Sequence, residues 1–367
     1  MKAALCLAVV ALAAPRAFAQ APAVREESNI YGRPGWVLEN GAVRVALLRG
    51  GGHIAELRLV SANPRLSINP MFVPIPGGNG YMGHLVAFPH YGPASPEERA
   101  QGLTGHGEAG SVEWHETRPP HVDAKNLTFF YGADLPKTQY TIERAVTLVA
   151  GESTVTVEEW IENLAPYDRP FNRNQHATFG APFVTPGRNM LDMSGTRGIT
   201  DPKRTAGSKW VEGRLFQWPD APTQDGVELS LRDFHAIPGG QVYTPVLTDR
   251  SKPLSWFALY NADYPLLVGY VFPTDDHPWI IDWQNQPRAD TSAGTARGIE
   301  FGTSPFDEGL RKSVERAQLI GAPTYKFIGA RQRLSTTFTI FLREIAPGFK
   351  GVVTVSMENG KVVVIPK

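Results

Sequence analysis

Cysteine is almost absent from this chain: the single one, Cys6, sits among the first residues. A fold built from this sequence therefore has no disulfide framework and no cysteine metal cluster, and rests on its hydrophobic core. Excess charge of either sign is absent as well, with 36 Lys+Arg against 36 Asp+Glu. That balance favours neither nucleic acid nor an anionic membrane as a partner. No apolar run is long enough to span a bilayer, and no segment recurs at the fixed period of a propeller or solenoid. Two catalytic signatures are missing too: the Gly-x-Ser-x-Gly elbow of an α/β-hydrolase and the His-x-x-x-His helix of a zinc hydrolase. His84, His90, His106 and His115 cluster in sequence but have no cysteine or Asp-rich loop beside them, so no metal is assigned. Gly50-Gly51-Gly52 leads into a strand pattern rather than a helix, which does not suit phosphate cradling.

What is present starts with an export signal. Lys2 supplies the positive start, Ala3 to Ala14 the apolar stretch, and Ala17-Phe18-Ala19 a small-x-small cleavage site before Gln20. Residues 1–19 are read as a signal peptide, and the expected location is periplasmic or secreted. Residues 20–35, polar and without period, are expected to be a linker or an arm on the surface. Residues 36–367 are read as one domain, and their 42% hydrophobic content (a whole-chain figure) is ample for a core.

Alternation dominates that domain. Val155, Val157 and Ile161 fall on one face of a strand pattern, with Thr156, Glu158 and Glu162 on the other. The preceding run 139–149 turns into it through Ala150-Gly151-Glu152. Asn40-Gly41 and Asn359-Gly360 read as type I′ hairpin turns. Further strands are expected at 228–232, 242–247, 254–260, 266–272, 336–345 and 352–357. Helical signals are few: Ser95-Pro96-Glu97-Glu98 fits a capped short helix, and Asp307 to Leu319 carries apolar residues at helical spacing. The fold class is all-β, a large antiparallel sandwich with few short helices.

Three short runs carry the chemistry. His176 follows a strand among Asn172, Asn174 and Gln175, where amides can fix its tautomer, and an imidazole with a pKa near 6.5 can give a proton near neutral pH. His106 lies between Gly105 and Gly107, which allow backbone and ligand to approach closely. Glu300 sits between Ile299 and Phe301, where burial would raise its pKa towards that of a useful base. Each also has a plain reading: a histidine satisfied by backbone, an incidental histidine in a glycine turn, an outward Glu on a strand.

In order and spacing these runs resemble the aldose 1-epimerase (galactose mutarotase-like) family. The similarity rests on Gly51-Gly52-His53-Ile54-Ala55-Glu56-Leu57, Gly105-His106-Gly107-Glu108 with Trp114, Ser153 to Asn163, Asn172 to Phe179, and Ile299-Glu300-Phe301-Gly302. The resemblance implies a β-supersandwich and interconversion of α and β anomers of an aldose without a cofactor. It implies Glu300 as general base, His176 as general acid, and His106 as a sugar ligand. Gln175 and Trp283 are expected to bind the ring. Asp282, beside Trp283, is the nearest candidate for the family's acidic sugar ligand, and His84 and His90 are further expected ligands. Met82-Gly83-His84-Leu85 stands where the family commonly has an arginine. The expected partner is a mono- or oligosaccharide. Two rival readings share the fold: a carbohydrate-binding protein without catalysis, and a polysaccharide lyase or hydrolase using the long loops as a groove.

Overall fold

The computed structural model describes residues 21–71, 83–201, 208–237, 239–286 and 294–367; the stretch read as a signal peptide lies outside them. Among the described residues, alternating sequences become strands that build two large facing antiparallel sheets. One has thirteen strands, running from Ala23–Ile30 at one edge to Glu228–Ser230 at the other. The other has eight, from Asn189–Met193 to His115–Val122. In strand Thr154–Asn163 every second residue is buried, starting at Val155, as a sheet with one wet side requires.

Between the sheets lies one apolar core, with Val45, Leu57, Phe129, Val157, Phe179 and Phe257 among its members. Phe301 stacks on Phe272 with ring centroids 4.3 Å apart and meets Phe338 edge-on at 5.5 Å. Burial of each such ring contributes ~1.5–3 kcal/mol. The hairpin of Val352–Glu358 and Lys361–Pro366 covers the other face of the eight-stranded sheet, packing Val355 and Val362 on Trp256, Leu267 and Phe341. Asn359 and Gly360 both take positive φ (50° and 75°), the backbone of the expected type I′ turn.

Other local expectations change. At Asn40-Gly41 only Gly41 has positive φ; Asn40 instead accepts the Ala42 and Val43 N–H groups on its side-chain oxygen. The segment expected to be a linker or arm contains strand Ala23–Ile30, paired along Arg33–Glu39. Most of its residues are exposed, so it carries no burial pattern to read. The short helix Pro96–Ala100 has the expected capping box, Ser95 and Glu98 each bonding the other's backbone N–H. The later helix is shorter than its pattern, Leu310–Arg316, and ends where Ala317 turns to φ 60°.

Near the middle of the large sheet run His84–Ala87, Asn174–Gly180, Ala296–Gly302, Trp279–Asn285 and Gln241–Thr248, adjacent in that order. All seven residues of Asn174–Gly180 and all seven of Ala296–Gly302 are buried, so both faces of these strands are covered. One face is the sandwich interior. The other holds the candidate site.

Candidate active site

Strand register places the two principal side chains. His176 pairs with Glu300 across antiparallel neighbours, and Glu300 pairs with Ile281 on the next strand. The same face carries Thr178, Gly298, Trp283 and Tyr243, because successive residues of a strand alternate between faces. His176 Nε2 lies 3.4 Å from Glu300 Oε1. Its Nδ1 is 2.9 Å from the Thr178 hydroxyl, two residues along the strand. In the protonated ring Nδ1–H donates to the Thr178 hydroxyl and the second ring proton, on Nε2, is directed towards Glu300.

The second oxygen of Glu300 is held from above. Tyr91 donates its hydroxyl to Glu300 Oε2 at 2.5 Å, and the Tyr91 and Tyr243 hydroxyls are 2.7 Å apart. Burial first, then the Glu300 charge, pushes the Tyr91 phenol well above its usual range, so it remains a donor. Gly298 is a glycine for steric reasons: a Cβ there would lie 2.9 Å from the Trp283 ring and 3.2 Å from that of His176. Its absence lets those rings meet edge to face at 5.8 Å.

His106 closes the side facing the loop. Its backbone is left-handed, φ 64°, a conformation that costs a non-glycine residue energy and is often found at functional sites. The ring is 6.1 Å from that of His176 and 5.4 Å from that of Tyr91. Gly92 N–H points to its Nδ1 at 3.4 Å, leaving Nε2 as the protonated atom of the neutral ring. Next to it, Gly107 (φ 83°) passes so close beneath Phe88 that a Cβ would lie 2.1 Å from the Phe88 carbonyl oxygen.

The structure thus brings His106, His176, Trp283 and Glu300 together. It places the four other expected ligands elsewhere. Gln175 and Asp282 each sit one residue from a site-facing side chain, His176 and Trp283, and therefore point into the sandwich interior. Gln175 receives Arg144 Nη2 at 2.9 Å and His84 Nε2 at 2.8 Å, and donates to Glu159 at 2.9 Å. His84 is buried in that same inter-sheet network. Asp282 takes both prongs of the Arg297 guanidinium, at 2.8 and 2.9 Å, with neither residue exposed. His90 lies behind the loop, 3.0 Å from the Thr104 carbonyl and 3.1 Å from the Gly107 N–H, where it supports His106. All four are held by protein partners away from the face that carries His176 and Glu300. Conversely, the sequence carries only weak marks of Tyr91 and Tyr243 as members of the site. Tyr91 had only its place in an aromatic-rich loop to mark it, and Tyr243 only its alternation in step with Trp283 across two strands.

His84 has a measurable consequence. Burial, reinforced by the Arg144 charge, holds its pKa well below 6.5, and burial with the Arg173 charge does the same to His277. Both are neutral when folded and take up protons when unfolded, so the unfolded state binds more protons below about pH 6.5. Stability is therefore present above that pH and lost as pH falls, by ~1.4 kcal/mol per pH unit for each histidine. Urea midpoints measured between pH 7 and 5 should show this slope, and His84→Gln should remove about half of it. An unchanged slope in that variant would contradict the neutral, buried assignment. Asp192 and Asp276, whose pKa values lie below the usual carboxylate range, act only at lower pH.

The fold is a galactose mutarotase-like β-sandwich. No protein-family model matches the chain, and no curated protein does either. Among solved structures, a provisionally assigned aldose 1-epimerase of Klebsiella pneumoniae is similar over 89% of this chain and 88% of its own, at 13% identity and a TM-score of 0.59. A galactose mutarotase-like protein of Clostridium acetobutylicum matches 89% of this chain and 99% of its own, at 12% identity and a TM-score of 0.55. One from Lactobacillus casei matches 84% and 99%, at 13% identity and a TM-score of 0.54. Identities this low relate folds, not activities.

Proposed function

We propose that the protein interconverts the α and β anomers of a free aldose by acid/base ring opening. The observation that carries this reading is the juxtaposition of His176 Nε2 and Glu300 Oε1 at 3.4 Å on a buried face walled by Trp283 and Tyr91. The anomeric hydroxyl oxygen and the ring oxygen are bonded to the same carbon, so an acid and a base serving them belong side by side. Glu300 Oε1 takes the proton of the anomeric hydroxyl while the protonated, imidazolium form of His176 gives its Nε2 proton to the ring oxygen and is left neutral. The C1–O5 bond breaks and the anomeric carbon becomes an aldehyde. Rotation about C1–C2 presents the other face of that carbonyl. Ring closure reverses both transfers and restores each group, so no net proton is exchanged. In this reading His106 donates a hydrogen bond to a sugar oxygen, and the Trp283 ring packs on the sugar's C–H surface.

Polarimetry with freshly dissolved α-anomers of neutral aldoses tests the reading directly. The expected result is acceleration above the spontaneous rate with at least one sugar. If none is accelerated, the epimerase assignment falls. Sugar binding by calorimetry without turnover would then point to a carbohydrate-binding protein, and release of new reducing ends from polysaccharide to a cleaving enzyme.

A further inference from the structure

We infer that Tyr91 and Tyr243 are a positioning pair, a directional hydrogen-bond relay that holds one oxygen of Glu300 and leaves the other as the proton acceptor. This rests on the reading of Glu300 as the base. Counting protons fixes the direction of the relay. Each phenol has one hydrogen, and that of Tyr91 goes to Glu300 Oε2 at 2.5 Å. The 2.7 Å contact between the two hydroxyls must then use the hydrogen of Tyr243. Tyr243 thus donates to Tyr91, and Tyr91 to Glu300. Tyr243 also has a second acceptor, the Pro305 carbonyl at 3.2 Å. While Glu300 is ionised, the charge draws both hydroxyls along the relay. Once Oε1 has taken the substrate proton, Oε2 is a weaker acceptor and Tyr243 can turn to Pro305. The relay therefore favours the carboxylate that begins the cycle over the acid that forms during it.

The other ionisable groups nearby are few. His176 faces Oε1 across the strand pair, His106 lies beyond Tyr91, and Asp307 acts on Tyr91 by its charge. Tyr91 and Tyr243 are each 1% exposed, so both phenols are available for this role only within the fold.

The test is a carbon-13 NMR titration of protein labelled at glutamate δ-carbons, with the Glu300 signal identified by its loss in Glu300→Gln. Removing a donor to a carboxylate favours the protonated form, so Tyr91→Phe should raise the Glu300 midpoint by about one pH unit. Tyr243→Phe, one bond further away, should raise it by less. Because the base works ionised, the acidic limb of kcat/KM should move to higher pH by the same amounts, a change that a merely structural role would not produce. An unchanged midpoint in Tyr91→Phe protein that melts like the parent overturns the relay. Should Tyr91→Phe fail to fold, an unchanged midpoint in Tyr243→Phe overturns it instead. Midpoints that move in a protein that accelerates no sugar would sustain the relay and sink the proposed activity, so the two failures are distinguishable.

Discussion

Glu300→Gln should slow anomer interconversion by roughly 10²–10⁴-fold, the range typical for removal of a general acid or base. The substitution keeps size and shape, and the amide oxygen can still accept the Tyr91 hydroxyl. What it loses is the ability to take a proton at the atom facing His176, 3.4 Å away. His176→Asn should cost a similar factor, because the asparagine side chain cannot protonate the ring oxygen. The double variant should be little slower than the worse single one, since an acid without its base opens no ring. Polarimetric rates report the loss, and calorimetric sugar affinity should stay within a few-fold of the parent's. A Glu300→Gln protein that still turns over at the parent rate would remove Glu300 from the mechanism.

The second large effect concerns folding. Asp282→Leu should destabilise the protein by ~3–5 kcal/mol in urea unfolding, because it strands a buried guanidinium. Arg297 is fully enclosed, with Asp282 taking two of its N–H groups and the Leu231 carbonyl another at 2.8 Å. Without the carboxylate its charge has no buried counterpart. Replacing both partners, Asp282→Leu with Arg297→Met, should recover much of the loss, since an apolar pair of similar volume suits that interior. The measurement also separates two roles for Asp282. A sugar ligand would change KM and leave stability nearly intact. The geometry favours the opposite, lower stability with KM little changed in whatever fraction remains folded.

How much of this was legible in the sequence depends on whether a feature is local. Alternation revealed the long strands, and the sequence resemblance singled out His176 and Glu300. The same alternation, applied strictly, excludes Gln175 as a companion of His176 and Asp282 as a companion of Trp283, since neighbours on a strand cannot share a face. The sequence sets three amides around His176, but Gln175 belongs to the other side of the sheet. Residue type alone points His90 towards the sugar, whereas its ring ties a loop together. Tyr91 and Tyr243 meet across 152 residues, and nothing local announces that contact. The edge strand Ala23–Ile30 escaped because its exposed residues give pairing without periodicity.

The origin of the site's parts has a consequence for how such a protein changes over time. His176 and Glu300, the proposed acid and base, descend from the register of two neighbouring strands, whereas Tyr91 and His106 come from a loop that closes on itself through bonds from Phe88 to His106 and from His106 to Gly92. On the proposed mechanism, proton transfer and choice of substrate are thus inherited on separate stretches of chain. Insertions or exchanges around 92–106 could recast the mouth of the site while the sheet carried the same chemistry forward. A library confined to that loop, with both strands left untouched, is the economical place to seek a new sugar.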